Sequence, residues 1–227
     1  MLIPLLADSA GAHGGWLTNT LLQFARGGAE WVLWLLVILG FVSVFIFFER
    51  LLFLKKHAVD AEAIRQMLLR TLGDNDVDTA VNELSKYDAI EAHVTAYGLR
   101  EAERGPEAVV ELCRGAAGIE RLRYERGLSV LATIGSNAPF IGLFGTVMGV
   151  IMAFDQLREL GGQSADGSGA VMGAIAEALI ATGVGLLVAI PAILFYNLLK
   201  SRVKKTISTT QLLVDTAVAM LRSQRGS

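Results

Sequence analysis

The stretch "MGAIAEALIATGVGLLVAIP", residues 172–191, is almost wholly apolar, yet it carries one carboxylate, Glu177, and near its middle one hydroxyl, Thr182. Desolvation disfavours the charged form of a carboxyl and raises its pKa. A carboxyl poised in that way can accept and release a proton. A second hydroxyl, Thr146, lies in "GLFGTVMG" (142–149), on one helical face with Gly142 and Gly149.

The elements that must hold these groups follow from the segregation of charge. An uncharged apolar block of about 18 residues or more reads as a membrane span. Three blocks qualify: "WVLWLLVILGFVSVFIFF" (31–48), "LSVLATIGSNAPFIGLFGTVMGVIMAF" (128–154), and residues 170–199, broken only by Glu177 and small polar groups. Inside lipid every backbone N–H and C=O must be paired within the segment, so all three should be helices. A soluble protein of 227 residues has little room for three core helices of this length.

A charged residue at the centre of a span costs about 2.5–3.5 kcal/mol on insertion scales. Glu177 should therefore face a helix bundle or a wet cavity rather than lipid. Two readings stand: a titrating carboxyl on an ion path, or a permanently protonated one bonded to a neighbouring helix. Ala174, Ala178 and Gly185 lie along one side of the third span, with Thr182 one turn beyond Ala178. Glu177 and Thr182 are roughly 140° apart on an ideal helix, so one narrow groove cannot receive both. A helix wedged between two neighbours could present both. Gly142, Gly145 and Gly149 allow close helix packing, Gly145 and Gly149 at small-xxx-small spacing. Asn137 shares a face with Thr133. Pro139 and Pro191 each remove a backbone donor, so kinks or rewetted turns are expected there. For each hydroxyl, bonding to its own helix backbone competes with lining a pore.

Lys and Arg set the orientation. Only Arg26 precedes Glu30, and only Arg158 lies between Phe154 and Ala170; the other basic residues fall between Arg50 and Arg126 or after Leu199. By the positive-inside rule the N-terminus and the 156–169 loop face out, and the region around residues 55–127 and the C-terminal tail face the cytoplasm. The opening "MLIPLLADSAGAHGG" lacks the basic n-region and long apolar run of a signal peptide, so the first span is expected in the mature protein. Residues 16–24 form an amphipathic stretch that suits a membrane surface.

The region between the first two spans reads as helical. "DAEAIRQMLLRTL" and "DVDTAVNELSKYD" carry apolar residues at helical spacing, for example Val77, Ala80, Val81 and Leu84. Gly105-Pro106 marks a helix start. From there the sequence is expected to run without a breaker into the second span, with Glu120–Arg123 and Arg121–Glu125 as helix-neighbour pairs. The tail keeps a stripe of Val203, Ile207, Val214, Val218 and Leu221. The second and third spans are thus expected to extend as long helices into the cytoplasm.

Several chemistries are set aside. A single cysteine, Cys113, excludes an intramolecular disulfide and reads as a buried structural thiol. His13, His57 and His93 are scattered, without metal-ligand spacing. There is no phosphate-binding loop or dinucleotide fingerprint, and no pair of groups for nucleophilic catalysis within the spans. No metal, cofactor or enzyme activity is expected. A net charge of −2 gives no sign of a nucleic-acid partner.

"LATIGSNAPFIGLFGTVMGVIMAF" followed by "AIAEALIATGVGLLVAIPAILFYN" resembles the signature of the MotA/TolQ/ExbB proton-channel family, and most the ExbB/TolQ branch. The resemblance covers the three spans and their order. It implies an all-α integral membrane protein of the bacterial inner membrane, a homopentamer around a single-span partner like ExbD or TolR whose span carries an aspartate. Proton flow would move that partner and pass energy to a TonB- or TolA-like protein. By motif position the polar pore residues fall on Thr146, Glu177 and Thr182; Asn197 and the acidic loop residues match less informatively.

The organisation expected is a periplasmic N-terminal segment (1–30), a first span (31–54), a cytoplasmic helical domain (55–127), a second span (128–155), a periplasmic loop (156–169), a third span (170–199) and a cytoplasmic C-terminal helix (200–227). The alternatives are a TolQ-like or gliding-motility motor subunit, or a non-conducting scaffold. A four-span flagellar relative fits the three-span count less well.

Overall fold

A computed structural model describes residues 30–159 and 165–226. The amphipathic stretch 16–24, the rest of the N-terminal segment before residue 30, and residues 160–164 of the loop lie outside the described residues. Seven α-helices are described: α1 (Glu30–Lys56), α2 (Ala61–Gly73), α3 (Val77–Leu84), α4 (Ile90–Leu99), α5 (Pro106–Glu125), α6 (Leu128–Glu159) and α7 (Ala165–Gly226), with one 3-10 turn at Ala102–Arg104 and no strand among the described residues.

Three helices are long and apolar enough to cross a membrane. The most apolar 18-residue windows of α1, α6 and α7 have mean hydropathies of 2.7, 1.7 and 2.4. Only 17%, 28% and 33% of those windows is buried within the chain. Their remaining apolar surface needs lipid or other protein to cover it.

The chain divides into two compact units. The first takes α1 as far as Ser43 together with Thr133–Ile193. Its core is built from Val32 and Leu36 of α1, Ile134 and Ala138 of α6, and Val188, Ala189 and Ala192 of α7. α6 and α7 run unbroken through Pro139 and Pro191. Each proline lacks an N–H, so the carbonyls of Gly135 and Leu187, one turn earlier, have no intrahelical donor.

The second unit takes Val44–Ala132 and Leu194–Ser227. Ile64, Leu68 and Leu72 of α2, Leu84 of α3, Leu99 of α4 and Leu199, Leu213 and Val214 of α7 form its core. The tail stripe packs here, with Val203, Val218 and Leu221 buried as well. Asp60 caps α2 by accepting from the Glu62 and Ala63 amides at 3.0 and 3.3 Å, and Asp76 caps α3 by accepting from the Thr79 amide at 2.9 Å. α4 has no cap of its own, because Ala89 precedes it. The Tyr124 hydroxyl from α5 accepts from the Ile90 amide instead, at 3.2 Å. Burial pushes that phenol up to about 12.

Cys113 is a buried thiol donating to Val94 O at 3.3 Å, and burial pushes it up to about 11. α5 starts at Pro106, after Gly105 at φ 108°. It carries the ion pairs Arg121–Glu125 (2.7 Å) and Arg123–Glu120 (3.7 Å).

One expectation is corrected. The helix from Pro106 does not run unbroken into the second span; it ends at Glu125 and α6 starts afresh at Leu128. Gly127 takes φ 80°, which L side chains rarely adopt. A β-carbon there would also stand 3.2 Å from Ile46 Cγ2 of α1. The break lets α1 pass close to the backbone. Arg50, buried beside it, pairs with Glu49 at 2.7 Å, donates to Arg123 O at 3.3 Å and lies 5.1 Å from the centre of the Phe53 ring. The third span, by contrast, continues without interruption into the tail as part of α7.

Candidate functional site

The site lies within the first unit, where α6 and α7 run antiparallel along a seam of small residues. A β-carbon on Gly142 would meet Ala181 O at 2.7 Å and Thr182 Cα at 3.1 Å; one on Gly185 would meet Ala138 O at 2.7 Å. One on Gly145 would meet Ala181 Cβ at 2.8 Å and Val32 Cγ1 of α1 at 3.1 Å, and one on Gly149 would meet Ala178 Cβ at 2.6 Å. At the far end, Gly135 faces Ile193. The 2.6–2.8 Å distances are shorter than real β-carbons show and the 3.1 Å ones are tight, so glycine is what brings the two backbones together.

That approach brings Thr146 and Thr182 together. Their Oγ1 atoms are hydrogen-bonded to each other. Thr146 Oγ1 also lies 3.1 Å from Ala178 O and 3.3 Å from Gly142 O, and Thr182 Oγ1 lies 3.2 Å from Gly142 O. Each hydroxyl has one proton to donate. If Thr182 donates to Gly142 O, Thr146 donates to Thr182; if Thr146 donates to Ala178 O, Thr182 donates to Thr146. If Thr146 donates to Gly142 O, Thr182 can donate to Thr146. The pair thus has more than one possible proton arrangement and crosses from one helix to the other. Thr146 uses both its own helix backbone and its neighbour's.

Glu177 is not part of this contact. It sits one residue before buried Ala178, on the exposed side of α7 near Ile180, which is 56% exposed. The roughly 140° between Glu177 and Thr182 on a helix separates the carboxyl from the seam. Gly173, one turn before Glu177, has open space where its side chain would be. On α6, Asn137 Nδ2 donates to Thr133 O at 2.9 Å and to Ser136 Oγ at 3.3 Å on an exposed face. Pro139 and Pro191 are half-buried.

The sequence reading did not single out Ala181 or Gly135 as seam residues. Their signal was present: Gly135, Ala138, Gly142, Gly145 and Gly149 recur at alternating spacings of three and four, as do Ala174, Ala178, Ala181 and Gly185. No group of three metal-binding side chains occurs among the described residues.

Residues 86–211 match the MotA/TolQ/ExbB proton channel family. The chain is 34% identical over 180 residues to the biopolymer transport protein ExbB of Neisseria gonorrhoeae, covering 76% of this chain and 78% of that protein. It is 41% identical over 100 residues to ExbB of Xanthomonas campestris, covering 44% of this chain and 38% of that protein. It is 55% identical over 78 residues to an ExbB-like biopolymer transport protein of Helicobacter pylori, covering 34% of this chain and 50% of that protein. The alignment thus spans about half the length of the Helicobacter relative. With both signature stretches, 131–154 and 174–197, and the threonine pair inside the matched range, the chain belongs to the MotA/TolQ/ExbB proton channel family.

Proposed function

We propose that this chain is the multi-span subunit of an ExbB-like, proton-driven energy-transducing complex of the bacterial inner membrane. In this reading it is a homopentamer around an ExbD- or TolR-like single-span partner, and it passes energy to a TonB-like protein for transport across the outer membrane. The N-terminus is periplasmic and the C-terminus cytoplasmic, and no enzymatic step is involved. The relatives named ExbB support the TonB-type assignment over the Tol-type one.

The observation that carries the reading is the placement of Glu177. It lies in an apolar helix, outside the seam of its own chain, with apolar neighbours on the same exposed side. A single chain leaves that carboxyl to lipid, at a cost of about 2.5–3.5 kcal/mol if charged. Other copies or a partner span remove the conflict by enclosing it. Thr146 and Thr182 then supply polar contacts along the path, and Glu177 stabilises or relays the proton near the partner's aspartate. Each charge crossing the membrane field releases about 2.3 kcal/mol per 100 mV, so several protons per cycle can bias a two-state motion of the partner.

The test is proton flux into liposomes holding this protein with and without its co-encoded single-span partner, beside Glu177→Gln. Flux that needs the partner and drops in the variant supports the motor subunit. Absence of flux from an assembled complex under an imposed potential points to a scaffold. Full energised transport by an assembled Glu177→Ala complex would remove Glu177 from the mechanism.

A further inference from the structure

The second unit contains a cavity of about 490 Å³ bordered by Leu54 and Lys55 of α1, Glu91 of α4, and Arg202, Lys205 and Thr206 of α7. That volume is in the range of about 300–1,000 Å³ usual for small-molecule sites. The apolar run of α1 gives way to Lys55 and Lys56, and that of α7 gives way to Lys200, Arg202, Lys204 and Lys205. The cavity therefore sits where two membrane-length helices change from apolar to basic sequence.

Its polar groups are unequally occupied. Glu91 is only 5% exposed, and its Oε2 is buried without a hydrogen-bond partner. An unsatisfied buried carboxyl oxygen is costly and calls for a partner. Burial raises the pKa of this group. The two other acids at the cavity are already engaged: Asp60 caps α2, and Glu62 forks with Arg65 at 2.7 and 2.9 Å. Among the described residues, no ion pair joins Lys55, Arg202 or Lys205 to an acid. The cavity is thus lined by three cations without an ion-pair partner and one buried carboxyl whose Oε2 lacks a hydrogen bond.

A simple anion would satisfy the cations and leave Glu91 orphaned. A metal ion would find one carboxyl in a cavity lined by three positive charges. A small group carrying a multi-oxygen anion and, a few bonds away, an ammonium satisfies both. We propose that this cavity binds an aminophosphate, its phosphate on Lys55, Arg202 and Lys205 and its ammonium on Glu91. The same chemistry occurs in a phosphatidylethanolamine headgroup and in free phosphoethanolamine. The position at the apolar-to-basic transition favours the headgroup. The proposal is independent of proton conduction.

The test uses the full-length protein, delipidated in detergent and titrated by calorimetry with dihexanoyl phosphatidylethanolamine, dihexanoyl phosphatidylglycerol, phosphoethanolamine and inorganic phosphate. The ethanolamine lipid should bind about tenfold or more tighter than the glycerol lipid, the scale of one charge-assisted contact. Glu91→Gln should erase that preference. The Arg202→Gln, Lys205→Gln double variant, altered at exposed positions, should weaken both lipids by about tenfold or more and keeps the test open if Glu91→Gln does not fold. Phosphoethanolamine matching the ethanolamine lipid would place the ligand in solution; a clear advantage of the lipid would place it in the bilayer. Equal binding of the two lipids, a preference that survives Glu91→Gln, or no binding at all would overturn the proposal.

Discussion

Thr146 and Thr182 share a hydroxyl–hydroxyl hydrogen bond between α6 and α7, and each reaches a carbonyl of the opposite helix: Ala178 O at 3.1 Å for Thr146 and Gly142 O at 3.2 Å for Thr182. The two residues should therefore act as a unit. Thr→Val keeps the side-chain outline and removes the hydroxyl. In a double-mutant cycle read by unfolding in mixed micelles, the coupling energy should be about 0.6–1.7 kcal/mol, the range for hydrogen bonds between membrane helices. Additive single-variant effects would mean that the hydroxyls merely coexist.

Gly142 tests the seam that creates this contact. A β-carbon there would stand 2.7 Å from a backbone oxygen and 3.1 Å from a backbone carbon of α7. Backbone cannot step aside as a side-chain tip can, so Gly142→Ala must push the helices apart, with a loss of about 1–3 kcal/mol. Gly173→Ala, on α7 with no atom within 4 Å of the new carbon, should stay within about 0.5 kcal/mol of wild type. Thermal unfolding of the two variants in the same detergent separates a steric effect from a general intolerance of alanine.

Much of this was legible in the chain because the forces behind it are periodic or compositional. The three spans follow from uninterrupted apolar runs, and most of the seam follows from the small residues Gly142, Gly145 and Gly149 on one helix and Ala174, Ala178 and Gly185 on the other. The helix starts at Asp60, Asp76 and Pro106 each carry a local cap or ring constraint. What escaped depends on distant partners. A single glycine inside an otherwise helical sequence gives no warning that Gly127 breaks the helix; the close approach of Ile46 does. Ala89 offers α4 no cap, and nothing local points to Tyr124, 34 residues from Ile90. Glu177 is the opposite case. Its angular separation from Thr182 was readable from the helical repeat, and the structure leaves it on the exposed side of α7, away from the seam.

Tyr124 supplies a cap that the sequence before α4 does not. Tyr124→Phe keeps the ring, which packs edge-on to Phe53 at 5.3 Å between ring centres. It removes the hydroxyl that accepts from the Ile90 amide. Leaving that buried donor unpaired should cost about 1–3 kcal/mol. Hydrogen exchange resolved at α4 should speed up at Ile90 before the rest of the helix. Exchange at Ile90 unchanged from wild type would show that another acceptor takes over.

Glu91 should leave a mark on the pH dependence of stability. Burial holds its carboxyl above the ordinary value of 4.5 in the folded protein. The folded state therefore keeps this proton at pH values where the unfolded chain has released it. The stability linked to that proton is complete below about 4.5 and is lost as pH rises through the raised folded value. Burial is the largest effect, and the hydrogen bond from the residue's own backbone N–H opposes it; Lys55, Arg202 and Lys205, which favour the ionised form, and Asp60 and Glu62, which oppose it, border the same cavity. Glu91→Gln cannot titrate. Without added phospholipid, the melting temperature of wild type should thus fall relative to Glu91→Gln as the pH rises above 4.5. Adding the ethanolamine lipid should narrow that gap, because its ammonium stabilises the ionised carboxyl. Parallel melting curves for the two proteins across this range would show that Glu91 is not desolvated in the folded state, and would remove the main reason for expecting a cationic group in its cavity.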